Sequence, residues 1–227
     1  MSGGEPAPAM ATRLAHLGRG IVEAANTPLA PPLYQTVVYR FEGLDQLEAV
    51  LDGREPGFFY YRYGTQNHAL LERGVAELEG AEAAVAASSG LAALAATLLA
   101  LLAPGDHVLV DRYVYGGTYT LLTTEIARWG IEVSFVDLAG PDALAAVVRP
   151  RTRLLLLETL TNPTLRVVDI PALAAAAHAH GVLVCVDSTF TTPCLVQPLA
   201  LGADVVWHAM SKYFGGQSQA LGGIVAG

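Results

Sequence analysis

Charge is scarce in this chain. Of 227 residues only 13 are Lys or Arg and 21 are Asp or Glu, leaving a net charge of −8. So few cations on an acidic protein argue against nucleic acid or an anionic membrane as a partner. Cysteine is nearly missing as well: Cys185 and Cys194 stand alone, without metal-ligand spacing, and read as buried reduced thiols of a cytoplasmic protein. No apolar run reaches the length of a membrane span; Leu91–Ala103 is too short and contains Thr97. The first residues lack the basic start and apolar core of a secretory signal. Neither G-x-S-x-G nor G-x-G-x-x-G occurs, so hydrolase and dinucleotide-binding readings lack their signatures. His178 and His180 lie two apart on an expected helix, on different faces, and make a poor metal pair; no metal site is expected.

What is present is apolar residue in quantity, 52% of the chain, enough for one large domain with a thick interior. Residues 1–57 hold many turn-formers and read as an arm, with a short helix over 14–24, an extended piece over 33–41 and a helix over 42–51. Residues 58–227 form the main domain. Its pattern predicts a helix over 67–78, a short apolar piece at 83–87 and a helix over 91–102. Strands follow at 107–110, 131–136, 153–158, 182–187 and 204–207, with helices over 117–129, 141–148 and 170–180 between them. Strand and helix alternating at this spacing specify an α/β fold, a mostly parallel sheet with helices on both faces. The chain stops at Gly222–Gly227, where another apolar strand begins, and a fragment of a longer chain is expected.

In such sheets ligands sit outside the carboxyl ends of the strands, so Asp111, Tyr115, Glu158, Asn162, Asp187, Ser188 and Lys212 should share one rim. Lys212 follows the apolar run 204–207 and Ser211. An ammonium is costly to bury, and a neutral lysine amine forms Schiff bases, above all with pyridoxal phosphate. Asp187 could cap a turn, or pair with a pyridinium nitrogen. Asn162 is either a turn residue before proline or a partner for the ring hydroxyl. Tyr115 is packed in its loop or stacked on a flat ring. Ser88-Ser89-Gly90 opens a helix; Ser89 is an ordinary N-cap, or the turn is a phosphate seat made of backbone N–H groups. Arg62, inside the aromatic run 58–64, packs on a neighbour or binds phosphate.

Read together, Tyr60-x-Arg62-x-Gly64, Ser88-Ser-Gly90, Pro104-Gly-Asp106, Tyr115-Gly-Gly117, Thr161-Asn-Pro163, Asp187-Ser-Thr-Phe190, Pro198-Leu-Ala-Leu-Gly-Ala-Asp204 and Ser211-Lys-Tyr213 resemble the pyridoxal-phosphate (PLP) enzymes of cysteine and methionine metabolism. These are the trans-sulfuration enzymes, such as cystathionine γ-synthase, the cystathionine lyases and the O-acylhomoserine sulfhydrylases. The resemblance runs from about Tyr60 to the last residue and implies the PLP-dependent transferase fold type I, with the family's C-terminal domain missing. It implies that Lys212 forms the internal aldimine and moves protons, with Tyr115 as its catalytic companion stacked on the ring. Asp187 would pair with the ring nitrogen and Asn162 with the ring hydroxyl. Ser89, Gly90, Leu91, Thr189 and Ser211 would complete the cofactor seat, Gly90 and Leu91 through backbone amides. Tyr60 and Arg62 would reach the phosphate in a neighbouring subunit, so self-association as a dimer or tetramer with a shared active site is implied.

The implied reaction is β/γ-elimination or γ-replacement on an amino-acid substrate such as cystathionine or a homoserine ester. Departures from the family pattern fall at Thr65-Gln66-Asn67, at Ala209 where a phosphate-binding serine is usual, and at Gln217 and Gln219. Two other readings stand beside this one: a catalytically silent fragment that only folds or associates with partner subunits, and a different fold-type-I enzyme such as an aminotransferase.

Overall fold

The structure is a computed structural model describing residues 29–227, so the helix expected over 14–24 lies outside the described residues. Residues 29–35 belong to a separate unit and carry no helix or strand. Thr36–Gly227 forms the other unit, which holds the sheet. The extended piece expected over 33–41 is reduced to one isolated bridge, Val38 with Tyr60.

Two helices precede the sheet: α1 (Leu44–Leu51) and α2 (Gln66–Glu79). Helix α2 starts where Thr65 caps the His68 N–H and ends at Gly80 in the left-handed region, φ 68°. Strand β1 (Ala84–Ala87) and α3 (Gly90–Leu101) come next, then β2 (His107–Asp111) and α4 (Gly116–Thr120). The chain continues with β3 (Glu132–Val136), α5 (Pro141–Ala145), β4 (Thr152–Glu158) and α6 (Ile170–His178). Last are β5 (Leu183–Asp187), α7 (Thr192–Leu195), β6 (Val205–Ala209) and β7 (Gly223–Ala226).

The seven strands form one sheet in the order β1-β7-β6-β5-β4-β2-β3. Pairings from β3 through β6 are parallel, and β7 runs antiparallel to both β6 and β1. The chain moves outward from β2 to β3, then crosses back to place β4 on the other side of β2. That reversal splays the loops after β2 and β4 apart and opens a crevice at their carboxyl ends.

Strand β4 shows how the sheet buries both faces. Leu155 and Leu157 join Leu173, Val184 and Val186 in the core against α6. Leu154 and Leu156 point the other way, into a core with Leu94, Leu98, Val108, Val110 and Trp207 against α3. A near-continuous apolar strand is what a two-sided parallel sheet requires.

The structure departs from the sequence expectation at one helix and one cysteine, and it gives the apolar piece at 83–87 a role. The helix expected over 117–129 is broken, passing from α4 through a π-helical turn (Leu121–Glu125) into a 3₁₀ turn (Ile126–Trp129). A run of threonines is responsible: Thr120, Thr123 and Thr124 return their hydroxyls to carbonyls one turn back, which loosens the regular ladder. The piece at 83–87 is a sheet strand, completed by residues far along the chain; Glu72 protects its edge by accepting the Ala86 N–H at 2.9 Å. Of the two cysteines, Cys185 is buried and Cys194 is exposed on α7, because α7 is a single turn lying outside both cores.

Candidate active site

A cavity of about 250 Å³ opens at the carboxyl ends of β4, β5 and β6. One wall is the start of α3. Ser89 has extended dihedrals and its hydroxyl caps the Ala92 N–H at 3.1 Å, so the side chain acts as an ordinary N-cap. The cap leaves the first-turn N–H groups of Gly90 and Leu91, which have no acceptor within the helix, at the cavity edge. Gly90 is there because nothing larger fits: a Cβ on it would lie 2.5 Å from the Ala209 Cβ. The start of α3 and the end of β6 therefore touch.

The floor is made by β5 and β6. Asp187 is held by Thr189, whose N–H donates to Oδ1 at 2.8 Å, while the Thr189 hydroxyl oxygen accepts the Ala209 N–H at 2.9 Å. Burial pushes the Asp187 carboxyl up to about 6, against the pull of the Thr189 hydrogen bonds. Trp207, the Cα partner of Asp187 on β6, lies alongside, with its indole N–H buried and unpartnered.

The opposite wall comes from the two splayed loops. Glu158, at the end of β4 and only 4% exposed, accepts the Tyr115 N–H at 2.5 Å with Oε1 and the Asn162 N–H at 3.1 Å with Oε2. Burial raises its carboxyl to about 7, and the nearby Asp187 adds to the rise. The Tyr115 ring folds over Gly117, where a Cβ would fall 2.4 Å from the ring.

Lys212 and Ser211 line the cavity from the loop that joins β6 to β7. Lys212 is exposed, so the dry amine expected from the sequence is not what this chain forms by itself; its loop lies on the open side of the cavity. Phe214 of that loop packs edge-on against His208, ring centroids 4.8 Å apart. His208 in turn meets Glu79 of α2 through Nε2 and Oε1 at 2.5 Å, both side chains fully buried.

Ten predicted residues thus border one cavity: Ser89, Gly90, Leu91, Tyr115, Glu158, Asn162, Asp187, Thr189, Ser211 and Lys212. Tyr60 and Arg62 do not; Arg62 is exposed and stacks over the rings of Tyr60 and Tyr63 at 4.8 and 5.3 Å. Asp111 and Ser188, expected on the rim, are turned inward and fully buried. Asp111 accepts the Tyr113 N–H, and Ser188 bonds Thr191, so both serve their own turns. Trp207 and the clamping role of Glu158 escaped the sequence reading.

The family described as Cys/Met metabolism PLP-dependent enzyme matches residues 11–227. The chain belongs to that family. Among its relatives within the family, the L-methionine gamma-lyase of Porphyromonas gingivalis is 40% identical over 218 residues, covering 96% of this chain and 54% of that protein. The O-succinylhomoserine sulfhydrylase of Pseudomonas aeruginosa is 44% identical over 195 residues, 86% of this chain and 48% of that one. A crystal structure from Campylobacter jejuni, assigned as an O-acetylhomoserine (thiol)-lyase and carrying N′-pyridoxyl-lysine 5′-monophosphate, superposes with a TM-score of 0.82 at 35% identity. It covers 87% of this chain and 49% of that one. The chain spans about half the length of the curated relatives it matches. The residues present fit a PLP group. The helix N-terminus at the cavity edge suits a phosphate, and the buried carboxyl of Asp187 suits a protonated ring nitrogen.

Proposed function

We propose that this chain carries the cofactor-binding part of a trans-sulfuration enzyme, acting by β/γ-elimination or γ-replacement on cystathionine or an O-acylhomoserine. The observation behind this reading is the convergence of a lysine, a buried carboxyl, a helix N-terminus and an aromatic ring on one cavity. PLP, when bound, withdraws electrons from the α-carbon of an amino acid. The α3 start, with Ser211, holds its phosphate. Asp187 holds a proton on the ring nitrogen, and Thr189 fixes the carboxylate for that task. Tyr115 would cover one face of the ring and Asn162 would meet its hydroxyl.

Lys212 Nζ would be the amine that holds the cofactor aldehyde, and the same amine, once free, would take the α proton of the substrate. Tyr60 and Arg62 do not line their own cavity and would serve the phosphate of a second copy, which would make the working unit a dimer or tetramer in the cytoplasm. Residues 1–57 act as the arm between copies.

The test is spectroscopic. Purified chain mixed with PLP should develop a visible absorption band and quench Trp207 fluorescence, and Lys212→Ala should abolish the band. A wild-type chain that shows neither signal refutes the reading and favours a silent fragment that only associates with partner subunits.

A further inference from the structure

The sequence marks Glu158 only as a rim carboxylate, and its place in the structure is more specific. It ends β4 beside Asp187, its Cα partner on β5, and projects into the crevice opened by the strand-order reversal. There it touches two loops that leave neighbouring strands in different directions. Oε1 receives the Tyr115 N–H and Oε2 the Asn162 N–H, at 2.5 and 3.1 Å. Tyr115 is the residue just before α4 and its side chain caps nothing there, so its position is set through the backbone N–H that Glu158 accepts. We infer that Glu158 is a positioning residue: one carboxylate sets the ring of Tyr115 and the amide of Asn162 at a fixed spacing across the cofactor.

This inference rests on the PLP reading given above. The chemistry demands a carboxylate of this length. Aspartate is one methylene shorter and cannot reach both loops, whereas glutamine keeps one acceptor and turns an NH₂ donor toward the other N–H. A carboxylate is an unwelcome charge so close to Asp187 and in a dry place, which a purely space-filling role would not require. Two charge-assisted hydrogen bonds from separate loops supply that requirement.

The experiment compares wild type with Glu158→Gln and Glu158→Ala. Cofactor affinity is read from Trp207 quenching, ring orientation from circular dichroism in the visible band, and fold integrity from the thermal midpoint without PLP. We expect E158Q to fold with a midpoint above that of E158A, while Kd for PLP rises about tenfold or more and the visible dichroism weakens. E158A should lose more affinity than E158Q. A wild-type Kd and dichroism in E158Q would overturn the inference, as would a lowered midpoint with unchanged cofactor signals, which is the mark of a merely structural residue. Failure of the wild type to bind PLP is a separate result, since it removes the cofactor reading and this inference with it.

Discussion

The Glu79–His208 pair offers a quantitative test of what joins α2 to the sheet. Both side chains are fully excluded from solvent, and Nε2 and Oε1 meet at 2.5 Å. Glu79 Oε2 and His208 Nδ1 are buried without partners. Replacing His208 by Phe keeps a ring against Phe214 and leaves the Glu79 carboxyl stranded in a dry setting. Replacing Glu79 by Met strands the imidazole instead. Breaking a buried pair from one side costs roughly 3–5 kcal/mol. For a unit of this size each kcal/mol moves the thermal midpoint by about 2–4 °C, so either single variant should lose about 6–20 °C.

The double variant removes the pair together with both unpartnered atoms. It should return to within about 2 kcal/mol of wild type, giving a coupling of at least about 4 kcal/mol in the cycle. Far-ultraviolet circular dichroism through thermal and urea unfolding measures all four proteins. Single variants that each stay within about 1 kcal/mol of wild type and add simply would refute the reasoning.

Two further outcomes follow from named atoms. Gly223→Ala would put a Cβ 2.1 Å from the Ser89 carbonyl oxygen, backbone against which little can yield. We expect it to lower the midpoint by about 2–12 °C, from an overpacking cost of about 1–3 kcal/mol, and to weaken the visible band with PLP; an unchanged protein argues against the close approach. Asp187 titrates in the fold at about 6, above the ordinary 3.8, because of burial. The fold therefore favours its protonated form, and the stability this contributes is present below about pH 4 and lost as pH rises through about 6. Without PLP, Asp187→Asn should gain on wild type by roughly 3 kcal/mol between pH 4 and 7, read as midpoint against pH; a flat difference would contradict the assignment.

Much of this arrangement was legible in the residues, for reasons that differ by element. Alternating apolar runs and helical spacing fixed the parallel strands, because a two-sided sheet needs nearly all-apolar strands such as Leu154–Leu157. Carboxyl-end placement then brought Asp187, Asn162 and Tyr115 to one side. The broken helix after Gly116 was not legible, since apolar spacing alone reports helical faces and not the pull of threonine hydroxyls on the backbone. Strand β1 was hard to see, because its partner lies far away in sequence and local pattern carries no information about it. Asp111 was misplaced because a carboxylate at a strand end can bend back to its own turn as readily as face the rim. Lys212 was expected dry on the cost of burying an ammonium, but that argument concerns a closed site, and the loop bearing it faces outward here.

The placement of β7 completes the anion seat. Gly223 lets its strand lie against the Ser89–Gly90 turn, so the turn is braced by Ala209 of β6 and by β7, the later of the two to be made. A chain that stops short of β7 holds β4, β5 and their aspartate but lacks one of the two braces. The two braces come from strands that run in opposite directions, so the seat is complete only when both β6 and β7 are in place.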